Sequence, residues 1–375
     1  MKISHSNSWL FMAALVITAS CSAQDSMDEG LKDALEGKFY MGTAMNTPQI
    51  LGSDTASLDI IHKHFNSVVA ENCMKSGPIQ PKEGEFDFEL ADRFIEFAEQ
   101  NNLYTVGHCL IWHSQAPRWF FVDDQGNEVS KELLTERMKT HIYTVVGRYK
   151  GKVDCWDVVN EAIEDDGSWR NNKFYQIMGE DYVELAFKFA READPGAELL
   201  YNDYSMFHEG KREAVVRIVN DLKSKGIRVD GIGMQAHYGM DYPSLDEFEK
   251  SILAFAGTGA EVHITEMDIS ALPLPVRNMG AEISTSFEYQ QKMNPYVNGL
   301  TDSARVAQQD RYLDFFELFL KHEEKIKRVT MWGVTDNHSW KNNFPIRGRT
   351  DYPLLFDREY QAKPIVEAII KAAKE

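Results

Sequence analysis

Short apolar, β-branched runs alternate with longer amphipathic stretches along most of the chain. Eight such runs predict strands, at Phe39–Ala44, Ser67–Glu71, Leu103–Leu110, Val153–Val159, Glu198–Asn202, Gly231–Gln235, Glu261–Glu266 and Val329–Val334. The intervening apolar residues recur at helical spacing, which predicts helices such as Leu90–Gln100, Lys131–Tyr149, Tyr182–Glu192, Lys211–Gly226 and Ala304–His322. Eight consecutive strand–helix units predict an α/β fold, a TIM (β/α)8 barrel that forms a single catalytic domain.

The N-terminal residues lie outside this alternation and have the composition of an export signal. Lys2 is followed by an apolar run from Trp9 to Ala19, which is too short for a transmembrane helix. Residues 18–21 resemble a bacterial lipobox, so we expect a signal peptide at 1–20 and a lipidated Cys21; ordinary cleavage after Ala23 is the alternative. Residues 21–37 are predicted to form a tether and the start of the first helix, and residues 38–373 the barrel.

A second irregular stretch, Ser270–Ser303, follows the seventh predicted strand and contains several proline, glycine and asparagine residues. Loops of this length are uncommon unless they are functional. Since it follows a strand, we expect it on the catalytic face of the barrel.

Composition, charge and cysteine spacing argue against several classes of partner and site. The chain has 375 residues, 43% of them hydrophobic, and a formal net charge of −18, so it lacks the basic surface of a nucleic-acid-binding protein. Without Cys21, three cysteines remain (Cys73, Cys109 and Cys155), and this odd number argues against a disulfide framework. There is no CxxC or HExxH spacing, so neither a metal site nor a cofactor is predicted.

Two glutamates, Glu161 and Glu266, each end a predicted strand. In a TIM barrel, catalytic side chains lie at the C-terminal ends of the strands, and paired carboxylates there are the apparatus of a glycoside hydrolase. The remaining strand ends carry further polar or aromatic residues: Glu71, Asn72, His108, Asn160, Asn202, Asp203, Gln235, His237, Asp268 and Trp332. Together these residues are stronger evidence for a catalytic site than any one of them is alone.

Five blocks of sequence, at residues 65–75, 107–115, 156–162, 262–268 and 332–340, resemble glycoside hydrolase family 10, the endo-β-1,4-xylanases. The resemblance covers roughly residues 38–373. The chain departs from the family pattern at Cys109, where threonine is commoner, and in the loop after Ile269, which resembles that of Bacteroidetes-type xylanases.

The resemblance implies a retaining double displacement, with Glu161 as general acid/base and Glu266 as nucleophile. It implies that His237 and Asp268 orient Glu266, and that the neighbouring Glu266 and partial desolvation raise the pKa of Glu161. The residues implied to bind substrate are Glu71, Asn72, Lys75, His108, Trp112, Gln115, Asn160, Gln235, Trp332 and Trp340.

The expected partners are β-1,4-xylan and xylo-oligosaccharides, with no nucleic acid, and with membrane contact only through the lipid anchor. We expect a monomeric, exported lipoprotein of the outer membrane or cell surface; a secreted or periplasmic protein is the alternative. A β-1,4-glucanase or mixed xylanase/cellulase on the same barrel is the second enzymatic hypothesis. A non-catalytic glycan-binding lipoprotein is disfavoured because both glutamates are present, and an aldolase because no Schiff-base lysine or phosphate loop stands out.

Overall fold

The computed structural model describes residues 29–273, 292–344 and 347–375. The predicted signal peptide and Cys21 lie outside the described residues, as do residues 274–291 of the predicted loop. Helix Leu31–Ala34 already packs on the barrel, because Leu31 and Leu35 are fully buried.

Eight parallel strands close into a barrel, which confirms the predicted fold. In chain order the described residues form nine strands, of which all but the short β7 belong to the barrel: β1 (Tyr40–Met45), β2 (Ser67–Ala70), β3 (Tyr104–Trp112), β4 (Cys155–Asn160), β5 (Glu198–Asp203), β6 (Gly231–Met234), β7 (His237–Gly239), β8 (Glu261–Ser270) and β9 (Ile326–Met331). Strands β1 to β6 pair with one another in chain order. Strand β6 then pairs with β8, β8 with β9, and β9 with β1, which closes the barrel.

The short strand β7 was not predicted. It pairs only with the last three residues of β8, which runs to Ser270 and so extends beyond the predicted end at Glu266. The pattern missed this extension because Asp268 interrupts the apolar run, although its side chain is fully buried. The β7–β8 pair brings His237 opposite Asp268.

Helices cover the outside of the barrel. They span Leu31–Ala34, Thr47–Ile50, Thr55–His64, Ser76–Ile79, Glu89–Gln100, Lys131–Arg148, Lys173–Met178, Asp181–Ala193, Glu209–Ser224, Leu245–Ala256, Asp302–Lys321 and Pro364–Ala372, with 3₁₀ turns at Arg118–Phe120 and Asp336–His338. Helix Glu89–Gln100 shows why they form: it buries Ala91, Phe94, Ile95 and Ala98, which share one helical face. In the described ranges no helix combines the length and apolar character needed to cross a membrane.

The inside of the barrel is a second, smaller core. Ala44, Val69, Val106 and Cys155 face one another in register on β1 to β4, and Leu200 and Trp332 complete the cluster. The three described cysteines are free and buried. The strand ends therefore stand above a packed interior rather than a channel.

Candidate active site

Asn160 and Glu161 are neighbours in the chain, yet both face the cleft. Successive strand residues point to opposite faces, so this is possible only where the strand ends. Asn160 is the last residue of β4, and Glu161 adopts a left-handed backbone conformation with φ of 59°. Its side chain thereby turns back, and Asn160 Nδ2 lies 3.4 Å from Glu161 Oε1.

Amide side chains connect the two glutamates. Asn160 Oδ1 accepts hydrogen bonds from Gln235 Nε2 at 3.2 Å and from Asn202 Nδ2 at 2.9 Å. Gln235 also donates to Glu161 Oε1 at 3.1 Å, and Asn202 donates to Glu266 Oε1 at 2.8 Å. Asn160 therefore lies between the partners of both carboxyl groups, which come from β4 and β8.

Glu266 contacts a histidine that is itself held by a second carboxylate. His237 Nε2 lies 3.2 Å from Glu266 Oε2, and His237 Nδ1 lies 3.0 Å from Asp268 Oδ2. Burial disfavours the charged imidazole, but the two carboxylates outweigh it and raise the pKa of His237 to about 9. Burial would also raise the pKa of Glu266, but the hydrogen bond and charge of His237, together with His108 and Asn202, outweigh it and the pKa is lowered. Glu266 is therefore ionised at neutral pH.

The pKa of Glu161 is shifted in the opposite direction, upwards. Burial raises its pKa, and the charge of Asp203 raises it further, while Glu266 makes a smaller contribution. Glu266 was the expected neighbouring charge, but the structure gives the larger effect to Asp203. Asp203 is fully buried; Lys211 Nζ lies 3.1 Å from its Oδ1, and the Tyr201 hydroxyl donates to its Oδ2 at 2.6 Å. The cleft thus holds one carboxyl whose pKa is raised and one whose pKa is lowered.

Two indoles wall this region. The ring centroid of Trp332 lies 5.2 Å from that of His108 and 6.4 Å from that of His237. Trp340 lies 5.1 Å from His237, and its Nε1 donates to Asp268 Oδ2 at 2.9 Å. Indole faces beside the carboxyl groups can bury the C–H face of a pyranose.

The predicted residues on β2 and β3 form a second group. Lys75 is 6% exposed, donates to Asn72 Oδ1 at 3.0 Å, and lies 5.0 Å from the centre of the Trp112 ring. Burial raises the pKa of Glu71, and the Lys75 charge partly opposes this. Gln115 is half-buried beyond the end of β3, and no described residue hydrogen-bonds its side chain.

His108 is supported from inside the barrel. Its Nδ1 lies 2.8 Å from Asp157 Oδ2, and both side chains are 2% exposed. Arg328 Nη2 lies 3.9 Å from the other oxygen of Asp157. The imidazole that reaches the cleft therefore has its orientation set by a buried carboxylate.

One cluster of described residues has donor atoms close enough together for a metal ion: Glu198, Glu261 and His263, at the opposite end of the barrel. Arg328 Nε donates to His263 Nδ1 at 3.1 Å, which leaves the imidazole proton on Nε2. The Lys327 ammonium already lies 3.5 and 3.4 Å from the two glutamates. This donor set does not suit a cation.

Four residues of the site had no role in the sequence analysis: Asn202, Asp203, Arg170 and Lys211. Asn202 and Asp203 were identified as polar residues at the end of a strand, which is the signal that could have assigned them. Arg170 lies in a loop and Lys211 near the start of a helix, where exposed charges are ordinary.

The chain is similar to characterised proteins over nearly its whole length. A family model described as glycosyl hydrolase family 10 matches residues 30–372. Endo-1,4-beta-xylanase A of Xylanibacter ruminicola is 50% identical over 362 residues, covering 96% of this chain and 97% of that protein. An endo-1,4-beta-xylanase of Geobacillus stearothermophilus is 40% identical over 336 residues, covering 89% and 96% respectively.

Solved structures of xylanases are also similar to this chain. A GH10 endoxylanase retrieved from a sugarcane soil metagenome superposes with a TM-score of 0.86 at 43% identity, over 92% of this chain and 99% of that one. Xylanase XynB from Paenibacillus barcinonensis, in complex with a conduramine derivative, has a TM-score of 0.82 at 39% identity, over 91% and 98%.

Proposed function

The chain belongs to glycosyl hydrolase family 10, and from that premise we propose that it cleaves internal β-1,4-xylosidic bonds of xylan and xylo-oligosaccharides with retention of configuration. The observation that carries the proposal is the pair of glutamates, Glu161 half-buried and Glu266 buried, whose pKa values move apart. Burial and Asp203 raise the pKa of Glu161, and His237 lowers that of Glu266. A proton donor and an anionic nucleophile in one cleft are what a retaining glycosidase requires.

In the first step the Glu266 carboxylate attacks the anomeric carbon. The bond from that carbon to the bridging oxygen breaks, and the proton of Glu161 moves to the departing oxygen. The product is an ester between Glu266 and the sugar, and the shortened chain leaves with a free hydroxyl. His237 holds the attacking carboxylate ionised and in place before the reaction.

In the second step Glu161, now ionised, removes a proton from a water molecule. The water oxygen bonds to the anomeric carbon, the ester bond to Glu266 breaks, and both glutamates regain their starting protonation states. Because two inversions occur at one carbon, the product keeps the β configuration.

The walls of the cleft suit a xylose chain. Trp332 and Trp340 offer apolar faces beside His237, while Asn160, His108, Gln235, Lys75, Asn72 and Glu71 offer polar groups to the hydroxyls. Xylose lacks the hydroxymethyl group that glucose carries at C5, so a tight aromatic roof accepts xylan and rejects cellulose by steric clash.

Replacement of the acid tests the catalytic roles. Glu161→Ala is expected to lower turnover of xylan by about 10²–10⁴-fold, because general acid assistance is lost. A dinitrophenyl xylobioside, whose leaving group needs no proton, should still form the ester, and azide should restore turnover. Equal impairment of both substrates without azide rescue would contradict the assignment, as would an α-anomer as first product in proton NMR.

The protein is further proposed to be a monomer anchored through a lipidated Cys21 at the outer membrane or cell surface. The supporting observation is the lipobox-like sequence at 18–21 behind a short apolar run. Labelled fatty acid should be incorporated into the wild type in a Gram-negative host and not into Cys21→Ser. A soluble mature protein that begins at Gln24 would show cleavage without lipidation.

A further inference from the structure

Glu161 is held in a backbone conformation that residues other than glycine disfavour. Its φ of 59° lies in the left-handed region, where Cβ crowds the following carbonyl. Such a conformation persists only where the surroundings hold it in place. The contacts that hold it also determine where the Glu161 carboxyl points.

Two hydrogen bonds hold the backbone of Glu161, one at its N–H and one at its carbonyl. Its N–H donates to the carbonyl of Asn202 on β5 at 2.9 Å. Its carbonyl accepts a hydrogen bond from Arg170 Nε at 2.9 Å. The N–H of Arg170 also donates to the Ala162 carbonyl at 2.8 Å, so main chain and side chain of Arg170 bind adjacent residues.

The same guanidinium reaches the next strand end. Arg170 Nη2 donates to the Tyr204 hydroxyl at 2.6 Å, and Tyr204 directly follows Asp203 at the end of β5. On its outer side, Arg170 Nη1 lies 3.2 Å from Glu164 Oε1. The Arg170 side chain is 16% exposed, against 41% for Glu164, so the inner contacts are the sheltered ones.

A guanidinium is planar, and its N–H donors point in fixed directions. The bonds from Nε and Nη2 therefore fix the Glu161 carbonyl relative to the Tyr204 hydroxyl. A lysine ammonium keeps the positive charge but is a point donor on a flexible chain. It cannot occupy both donor positions.

We propose that Arg170 is a positioning residue for the acid/base: it fixes Glu161 in its left-handed conformation and couples it to Tyr204. The inference rests on the proposed role of Glu161. Glu266 lies on β8, and its contacts with His237 and Asn202 do not involve Arg170. Loss of Arg170 therefore impairs proton transfer and spares nucleophilic attack.

The test compares two substrates in Arg170→Lys. Turnover of xylan, which requires protonation of the leaving oxygen, is expected to fall about 10–100-fold, since a displacement of about 1 Å in a catalytic group can cost 10²-fold. With the dinitrophenyl xylobioside, the pre-steady-state burst of dinitrophenolate should stay within about threefold of wild type, because that leaving group needs no proton. A structural role alone would lower both rates together.

Two further variants serve as matched comparisons, each checked by thermal unfolding. Tyr204→Phe removes the hydroxyl and leaves the bond to the Glu161 carbonyl, so a smaller loss confined to xylan is expected. Glu164→Gln removes only the outer ion pair and should leave xylan turnover unchanged. If Arg170→Lys does not fold, Tyr204→Phe decides: a loss selective for xylan supports the coupling, and unchanged turnover overturns it.

Equal loss of burst and xylan turnover in Arg170→Lys, or full retention of xylan turnover, overturns the proposal. Glu161→Ala is measured in parallel. If it shows dependence on the leaving group and Arg170→Lys does not, only the role of Arg170 fails. If Glu161→Ala shows none either, the assignment of the acid/base fails.

Discussion

At the scale of single residues, Asp203 and His237 set the protonation states of the two glutamates. Asp203 lies beyond Glu161, in a buried site with Lys211 and Tyr201, and its negative charge favours the protonated acid. His237 lies beside Glu266, and its positive charge favours the ionised nucleophile. We therefore assign the basic limb of the pH–rate profile to the effect of Asp203 on Glu161, and the acidic limb to the effect of His237 on Glu266.

The basic limb is expected to move when Asp203 is neutralised. Activity requires protonated Glu161, so it is lost as pH rises through the pKa of that group. Asp203→Asn removes a charge that raises this pKa in the free enzyme, so the limb in kcat/KM should move towards lower pH by on the order of 1 pH unit. The pH dependence of xylan hydrolysis measures it.

Asp165→Asn is the control for this prediction. Lys211 Nζ lies 3.1 Å from Asp165 Oδ1 as well as from Asp203, so both variants remove one partner of the same lysine. Asp165 is not among the main causes of the shift in the pKa of Glu161. An equal displacement in both variants would show that Lys211, and not the charge of Asp203, controls the limb.

The acidic limb belongs to Glu266, which must be ionised to attack. His237→Asn removes a charged donor that lowers the pKa of Glu266. The pKa should rise, fewer molecules should be ionised at low pH, and the acidic limb in kcat/KM should move to higher pH. A dinitrophenyl xylobioside is the suitable substrate, since its cleavage needs no acid. An acidic limb unchanged in position would refute this role of His237.

At the scale of elements, the barrel brings the strand that leads into Glu161 into position through close packing against its neighbour. Gly107 on β3 is in register with Trp156 on β4, and a Cβ at Gly107 would lie 2.2 Å from the Trp156 ring. Trp156 is fully buried and cannot move aside. These strands carry His108 and lead into Glu161.

Gly107→Ala is therefore expected to lower the free energy of unfolding by about 1–3 kcal/mol, the usual cost of overpacking a core. Gly147→Ala is the control: Gly147 is exposed in helix Lys131–Arg148, and a Cβ there meets nothing within 4 Å. It should be neutral or stabilising by up to about 1 kcal/mol. Urea unfolding compares them, and equal stabilities would contradict the packing argument.

At the scale of the whole molecule, the first described residue lies at the end of the barrel opposite the cleft. Glu29 pairs with Lys374, just past helix Pro364–Ala372, which follows β9 and runs back towards the strand starts. From Cys21 to Glu29 the chain spans at most about 28 Å. The radius of gyration of such a domain is about 20 Å, so a lipid on Cys21 would hold this end towards the membrane.

The charge of the loops at this end of the barrel is consistent with that orientation. The connections that enter the eight barrel strands carry six cations and six anions, although the chain as a whole has a net charge of −18. These residues are Lys38, Lys150, Lys152, Lys225, Arg228, Lys325, Glu36, Asp154, Asp194, Asp230, Glu323 and Glu324. An anionic lipid surface repels such balanced connections less than it would a run of acidic residues.

Labels at the two ends of one helix test the orientation. Ser224→Cys lies at the end of helix Glu209–Ser224 near the strand starts, and Glu209→Cys lies about 22 Å away towards the cleft. With the lipidated protein on vesicles, a quencher on the lipid headgroups should quench the Ser224 label strongly and the Glu209 label weakly. Reversed quenching would place the cleft against the membrane, and equal quenching would show no preferred orientation; either result would refute the prediction.

The sequence alone determined the barrel, the order of its strands and the two glutamates. These follow from local patterns: apolar runs mark strands, helical spacing marks helices, and polar residues at strand ends lie on the catalytic face whatever the details of packing. Resemblance to a family then assigned the roles of Glu161, Glu266 and their neighbours.

Only the tertiary structure decided which charge acts on which carboxyl. Asp203 outweighs Glu266 in raising the pKa of Glu161, and Arg170 reaches the Glu161 backbone from a loop nine residues further on. Strand β7 formed where no pattern predicted it and brought His237 to Asp268. Such effects depend on burial and on distances between side chains of different strands, and one-dimensional periodicity carries neither quantity.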